Sequence, residues 1–192
     1  MPFPDFTPAR SLRLLTLVCM LGCAPLAHAD DYAEVGRLLR TGQAEQALAK
    51  ADQYLAGKPR DPQMRFLQAS SLAQLGRREA ALAAFIGLTQ DYPELPEPYN
   101  NLAVLYAGQG EFDKSRAALE SALRANPGYA NAHENLGDVQ ARLALQSYAR
   151  ALQLDPANAT AKAKLAALRE LLNTPQTAAR QPPIAAPAPT SR

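Results

Sequence analysis

Gly42, Gly76 and Gly110 stand 34 residues apart, and Pro59, Pro93 and Pro127 keep the same interval. A chain that sets out two turn-forming residue types at one fixed spacing is built from copies of one small unit. In each unit two apolar-periodic stretches of helical length flank the glycine, and the proline ends the second stretch. Leu102, Ala103 and Tyr106 share one face of the first stretch in the clearest copy, and Leu119, Ala122 and Leu123 share one face of the second. Gly110 lies where the two must turn, since a residue without a side chain tolerates the left-handed conformation that ends many helices. Asn126-Pro127-Gly128 then punctuates the chain before the next unit. A lone hairpin of this size cannot bury both of its apolar faces, whereas stacked neighbours share a continuous core. The pattern therefore predicts an all-α array that folds as one cooperative domain.

With the third unit taken as residues 96–129, Tyr99, Leu102, Ala103, Tyr106, Gly110, Phe112, Leu119, Ala122 and Pro127 resemble the signature of the tetratricopeptide repeat family, with Ser115 where a small alanine is usual. The second unit, 62–95, is similar through Ala69, Leu72, Gly76, Ala81, Phe85 and Pro93, with Gln68 in place of a leucine. The first, about 28–61, keeps Leu38, Gly42, Ala47 and Pro59 and reads as a divergent cap. The resemblance implies an all-α, right-handed superhelical array of helical hairpins, an α-solenoid.

The fourth unit starts in register with His133, Leu136 and Gly137, then reaches Tyr148, Ala151 and Pro156 five residues early. Its turn is shortened, and no glycine marks the boundary near 142–146, so a hairpin and one longer or kinked helix both remain open there. Residues 159–172, with Leu165, Leu168, Leu171 and Leu172 on one side, read as the capping helix that covers the last exposed stripe; a membrane-surface helix is the competing reading. The repeat domain thus runs over 30–172. Beyond it Pro175, Pro182, Pro183, Pro187 and Pro189 alternate with small and polar residues, a composition that predicts a disordered tail over 173–192.

Residues 1–29 have the organisation of a signal peptide. Arg10 and Arg13 precede an apolar run from Leu14 to Ala24, and Ala27-His28-Ala29 offers small residues for cleavage before Asp30. That run is short against the roughly 20 residues of a membrane span, so export into the periplasm is expected rather than an integral span. The alternative is an outer-membrane lipoprotein: Met20-Leu21-Gly22-Cys23 resembles a lipidation signal that would acylate Cys23. Both cysteines, Cys19 and Cys23, fall in this segment, so cleavage at Ala29 leaves no thiol and no disulfide.

Little in the remainder points to catalysis. Enzymatic sites need converging nucleophiles, bases or metal ligands, and after cleavage His133 is the single histidine, at a position that packs helices in this family. Neither a catalytic residue, a metal ligand set nor a cofactor is expected. Asp30, Asp31 and Glu34 read as an acidic helix start, and Arg77, Arg78 and Glu79 as solvent-facing charges. Removing residues 1–29 takes away Arg10, Arg13 and Asp5, leaving 18 of the 20 basic side chains and 17 of the 18 acidic ones. So balanced a chain offers no concentrated positive surface for nucleic acid.

The resemblance also implies a binding groove lined by the first helices of successive units. Carried onto this sequence, its lining includes Tyr32 from unit one, Phe66 and Ser70 from unit two, Glu97, Asn100, Asn101 and Val104 from unit three, and Asn131, Glu134, Asn135 and Asp138 from unit four. Tyr32 and Phe66 could form an apolar anchor pocket, or Phe66 could cover the junction with unit one. The asparagines offer donors and acceptors to a peptide backbone. Tyr32, Gly36 and Phe66 stand where carboxylate-clamping relatives carry lysine or asparagine, which argues against that specialised use. The expected function is a non-enzymatic periplasmic scaffold or adaptor that binds a protein or peptide of the bacterial cell envelope. The alternative is a self-assembling structural protein of the envelope; composition leaves the oligomeric state open.

Overall fold

The structure, a computed structural model, describes residues 26–173, with side chains from residue 31 onward. Among the described residues eight helices follow one another: α1 (Leu26–Arg40), α2 (Ala44–Gly57), α3 (Pro62–Gln74), α4 (Arg78–Asp91), α5 (Pro96–Gly108), α6 (Phe112–Ala125), α7 (Ala130–Leu154) and α8 (Ala159–Asn173). They stack as the helical hairpins of an α-solenoid. Signal segment, Cys23 and proline-rich tail lie outside the described residues, apart from the start of α1 and Asn173. Because α1 begins at Leu26, Asp30 and Asp31 fall in its second turn, and the acidic helix start expected there is not found in the unprocessed chain.

The turn inside each of the first three units is one motif repeated. Gly42, Gly76 and Gly110 have φ of 75°, 70° and 77°, a region open to glycine at no steric cost. The next residue donates its N–H back across the helix end: Gln43 to Leu38 at 2.8 Å, Arg77 to Leu72 at 2.9 Å and Glu111 to Tyr106 at 3.0 Å. This six-to-one bond closes carbonyls that the helix end leaves open. Between units the chain makes a second repeated turn, with Asp61 bonded to Lys58, Leu95 to Tyr92 and Tyr129 to Asn126 through the backbone. Asp61 then caps α3 by accepting from the Met64 N–H at 2.8 Å.

The fourth unit departs from this plan. Of the two readings left open by the sequence, the longer helix is the one adopted, and the shortened hairpin is absent: α7 runs unbroken for 25 residues across 142–146. No glycine or proline occurs between Gly137 and Pro156, and the intervening alanines, leucines, glutamines and arginines are good helix formers. Loss of five residues removed the αL glycine and with it the means of ending the helix. The following turn survives, with Asn158 bonded to Asp155 and capping α8 through the Ala161 N–H at 2.8 Å.

Three clusters make the core, and each crosses a unit boundary. Val35, Leu38, Leu39, Ala44, Ala47 and Ala51 meet Met64 and Leu67 of the next unit. Phe66, Ala69, Phe85 and Leu88 meet Leu102. Ala103, Leu119 and Ala122 meet Ala132 and Val139. Ser115, the departure from the usual alanine, is fully buried and donates its hydroxyl to the Ala103 carbonyl at 2.8 Å, so its polar group is satisfied where α5 meets α6. Phe66 and Phe85 meet edge to face, with centroids 5.7 Å apart. Phe85→Ala is expected to cost about 3–5 kcal/mol, read as a lowered urea midpoint. Val104→Ala, at an exposed site, should stay within about 0.5 kcal/mol of the parent.

Candidate protein-interaction groove

Among the first helices α1 adjoins α3 and α5 adjoins α7, so the side chains on the shared side of each pair lie along one face. That face is less open than the family positions imply. Phe66 is wholly buried, Ser70 is 2% exposed and Asn100 is 1% exposed; none of the three offers a surface to a ligand. Phe66 fills the junction of α3, α4 and Leu102 on α5, so it is neither an anchor pocket nor a cover for unit one. Ser70 is enclosed with its hydroxyl unbonded. Asn100 accepts a hydrogen bond from Asn135 Nδ2 at 2.8 Å, and this pair ties α5 to α7.

Tyr32 is also committed within the fold. Its hydroxyl donates to Asp61 Oδ2 at 2.5 Å and lies 2.8 Å from the Tyr54 hydroxyl. Burial first, then these bonds and the Asp61 charge, push its pKa far up. The group joins α1, α2 and the cap of α3. A cleft of about 360 Å³ beside it is lined by Asp31, Glu34, Val35, Lys50, Gln53 and Tyr54, and Lys50 pairs with Glu34 at 3.2 Å.

The open part of the face lies between α5 and α7. Val104 is 39% exposed and Glu134 is exposed, while Asn101, Asn131 and Asp138 are partly so. Asn101 Nδ2 donates to the Glu97 carbonyl at 2.9 Å, leaving its amide oxygen as an acceptor. Glu134, Asp138 and Arg142 follow one another at intervals of four along α7. Burial, and then the Glu134 charge, raise the Asp138 pKa against the opposing effect of Arg142. Glu97 is partly buried, its Oε2 has no hydrogen-bond partner, and desolvation raises its pKa. Tyr129 neighbours this carboxyl: its own pKa is raised by burial and then by the Glu97 charge, while a hydrogen bond with Asn131 opposes the shift. Tyr129 stands outside the repeat signature positions, although it occupies the residue before α7 as Asp61 and Leu95 do before α3 and α5.

His133 does not pack between helices as expected: it is exposed, and its Nε2 lies 2.9 Å from the Pro127 carbonyl. Among the described residues no group of three His, Cys, Asp or Glu side chains could hold a metal ion, and no helix is long and apolar enough to cross a membrane.

Stacked hairpins that present one helix of each pair along a shared face define a helical-repeat interaction scaffold. The chain belongs to the tetratricopeptide repeat family, whose model matches residues 32–96 and 100–143. It is 33% identical over 143 residues to PYG7, a chloroplastic tetratricopeptide repeat domain-containing protein of Arabidopsis thaliana, in a match covering 65% of this chain and 48% of that protein. The chain thus spans about half the length of this curated relative. Its fold is similar to that of a tetratricopeptide repeat protein from Parabacteroides merdae, with a TM-score of 0.56 and 18% identity, covering 78% of this chain and 60% of the other. It is also similar to the type III secretion chaperone SycD of Yersinia enterocolitica, solved with a peptide of the translocator YopD: TM-score 0.53, 14% identity, 68% of this chain and 95% of that one. The repeat array of this chain is thus of the tetratricopeptide type of protein- or peptide-interaction scaffold.

Because Glu97 keeps its proton to higher pH when folded than when unfolded, its contribution to stability is fully present below the unfolded pKa and is lost as pH rises through the folded one. Glu97→Gln is therefore expected to raise the urea midpoint at about pH 8 and to leave it nearly unchanged below about pH 4. Equal shifts at both pH values would contradict a desolvated carboxyl.

Proposed function

We propose that the chain is an exported adaptor of a bacterial envelope, processed at Ala29 and active in the periplasm, which holds a peptide segment of another envelope protein along α5 and α7. The observation that carries this reading is the open strip of Val104, Asn101, Glu134 and Asp138, where an apolar contact sits beside backbone-competent amide groups and two carboxylates. Glu134 and Asp138 place two carboxylates four residues apart on α7, where burial and then the Glu134 charge raise the Asp138 pKa, so a segment carrying lysine or arginine suits this strip. The fold shared with a secretion chaperone solved in complex with a peptide supports use of this fold to hold a peptide. Export rests on the basic, apolar and small-residue pattern of residues 1–29.

Photocrosslinking in cells is expected to trap one envelope polypeptide from probes at Val104 and Asp138, and none from a probe at exposed Ala83 on α4. Trapping that is equal at all three sites, or absent from the first two, would defeat the groove assignment. Asp138→Asn should weaken capture of a lysine-containing segment more than that of a neutral one. The N-terminus of the periplasmic protein is expected to be Asp30; a mass starting at acylated Cys23 would replace soluble export by lipid anchoring.

A further inference from the structure

Helix α7 carries both halves of a repeat hairpin end to end, and neither half is fully covered. Val35, Ala69, Ala103 and Gly137 are equivalent residues 34 apart, at the point where a first helix meets the second helix of its own unit. The first three are at most 1% exposed. Gly137 is exposed, and a Cβ built there meets nothing within 4 Å. The second-helix positions show the same contrast. Ala81, Phe85 and Leu88 in unit two and Ser115, Leu119 and Ala122 in unit three are all 0% exposed. Their counterparts after the shortened step, Ala144, Tyr148 and Ala151, are only partly buried, although α8 packs on α7 and Lys164 Nζ stands 5.5 Å from the centroid of the Tyr148 ring. Within one chain the halves cannot meet, because Gly137 and Ala144 lie about 10.5 Å apart along a straight helix.

We propose that two copies of the chain exchange these halves, the segment from Ala144 through α8 of each copy lying on residues 130–140 of the other and closing the fourth hairpin in trans. In unit three the hairpin brings Ala103 to Ser115; the equivalent contact sets Gly137 of one copy against Ala144 of the other. The two α7 helices then cross antiparallel, with the two-fold axis between Gln140 and Ala141, midway between the paired residues. Both contacts form at once, as a closed isologous dimer requires. The missing side chain at Gly137 permits the close backbone approach, and deletion of a hinge is a route by which a hairpin opens into a swapped pair. A second copy is the occupant because the open surface matches the repeat segment that each chain carries and cannot fold back onto itself.

The test uses the whole chain with Cys19→Ser and Cys23→Ser. Adding Gly137→Cys and Ala144→Cys together is expected to give a covalent dimer on mild oxidation, since a disulfide needs Cα atoms within about 7 Å and the intrachain pair is too far apart. Gly137→Cys alone should give none. Light scattering on the unmodified chain is expected to read twice the chain mass. That mass should fall twofold with Gly137→Arg, and also when a five-residue glycine-containing turn is inserted after Arg142, with far-ultraviolet helicity kept. A concentration-independent monomer, or a dimer that survives both changes and forms no 137–144 crosslink, would overturn the exchange.

Discussion

No unit of this chain encloses its own apolar face. Each core cluster is completed by side chains from the first helix of the following unit, as when Leu102 joins Phe66 and Phe85 or when Val139 joins Leu119. Burial of apolar area is the main favourable term in folding, so stability here belongs to the interfaces between hairpins rather than to the hairpins. The face available to a partner follows from that arrangement. Side chains drawn into the interfaces, among them Phe66 and Asn100, are lost to it, and what stays open is set by the spacing of α5 and α7.

The turns were legible in the sequence because each rests on one local requirement. A positive φ demands glycine, and the 34-residue interval of Gly42, Gly76 and Gly110 reports that demand directly. The fourth unit was half legible: the early Pro156 revealed a deletion, but whether the chain would turn or continue depended on the competition between helix propensity and hairpin packing. With no residue able to adopt αL cheaply, helix propagation prevailed.

The groove was less legible for a different reason. A repeat position names the side of a helix, whereas exposure depends on what the neighbouring helix places opposite. Phe66 meets Phe85 and Leu102, so an aromatic ring at an inward position became core. Asn100 reads as a wet amide until Asn135 is brought against it from the next unit. Tyr32 reads in the sequence as an aromatic anchor, yet its hydroxyl is bound in the group that fastens α1 to the α3 cap. Glu134 and Val104 have no such opposing partner and remain exposed.

The unbroken α7 has a mechanical consequence. A rod of 25 residues, about 37 Å long at 1.5 Å per residue, is clamped near one end by the Asn100–Asn135 pair and the Val139 contacts and carries α8 on the other. In a jointed hairpin a displacement of the last helix would be absorbed at the glycine turn. Here there is no joint, so a tilt imposed through α8 turns the carboxylates of Glu134 and Asp138 with it, and the far end of the solenoid works as a lever on the strip beside α5.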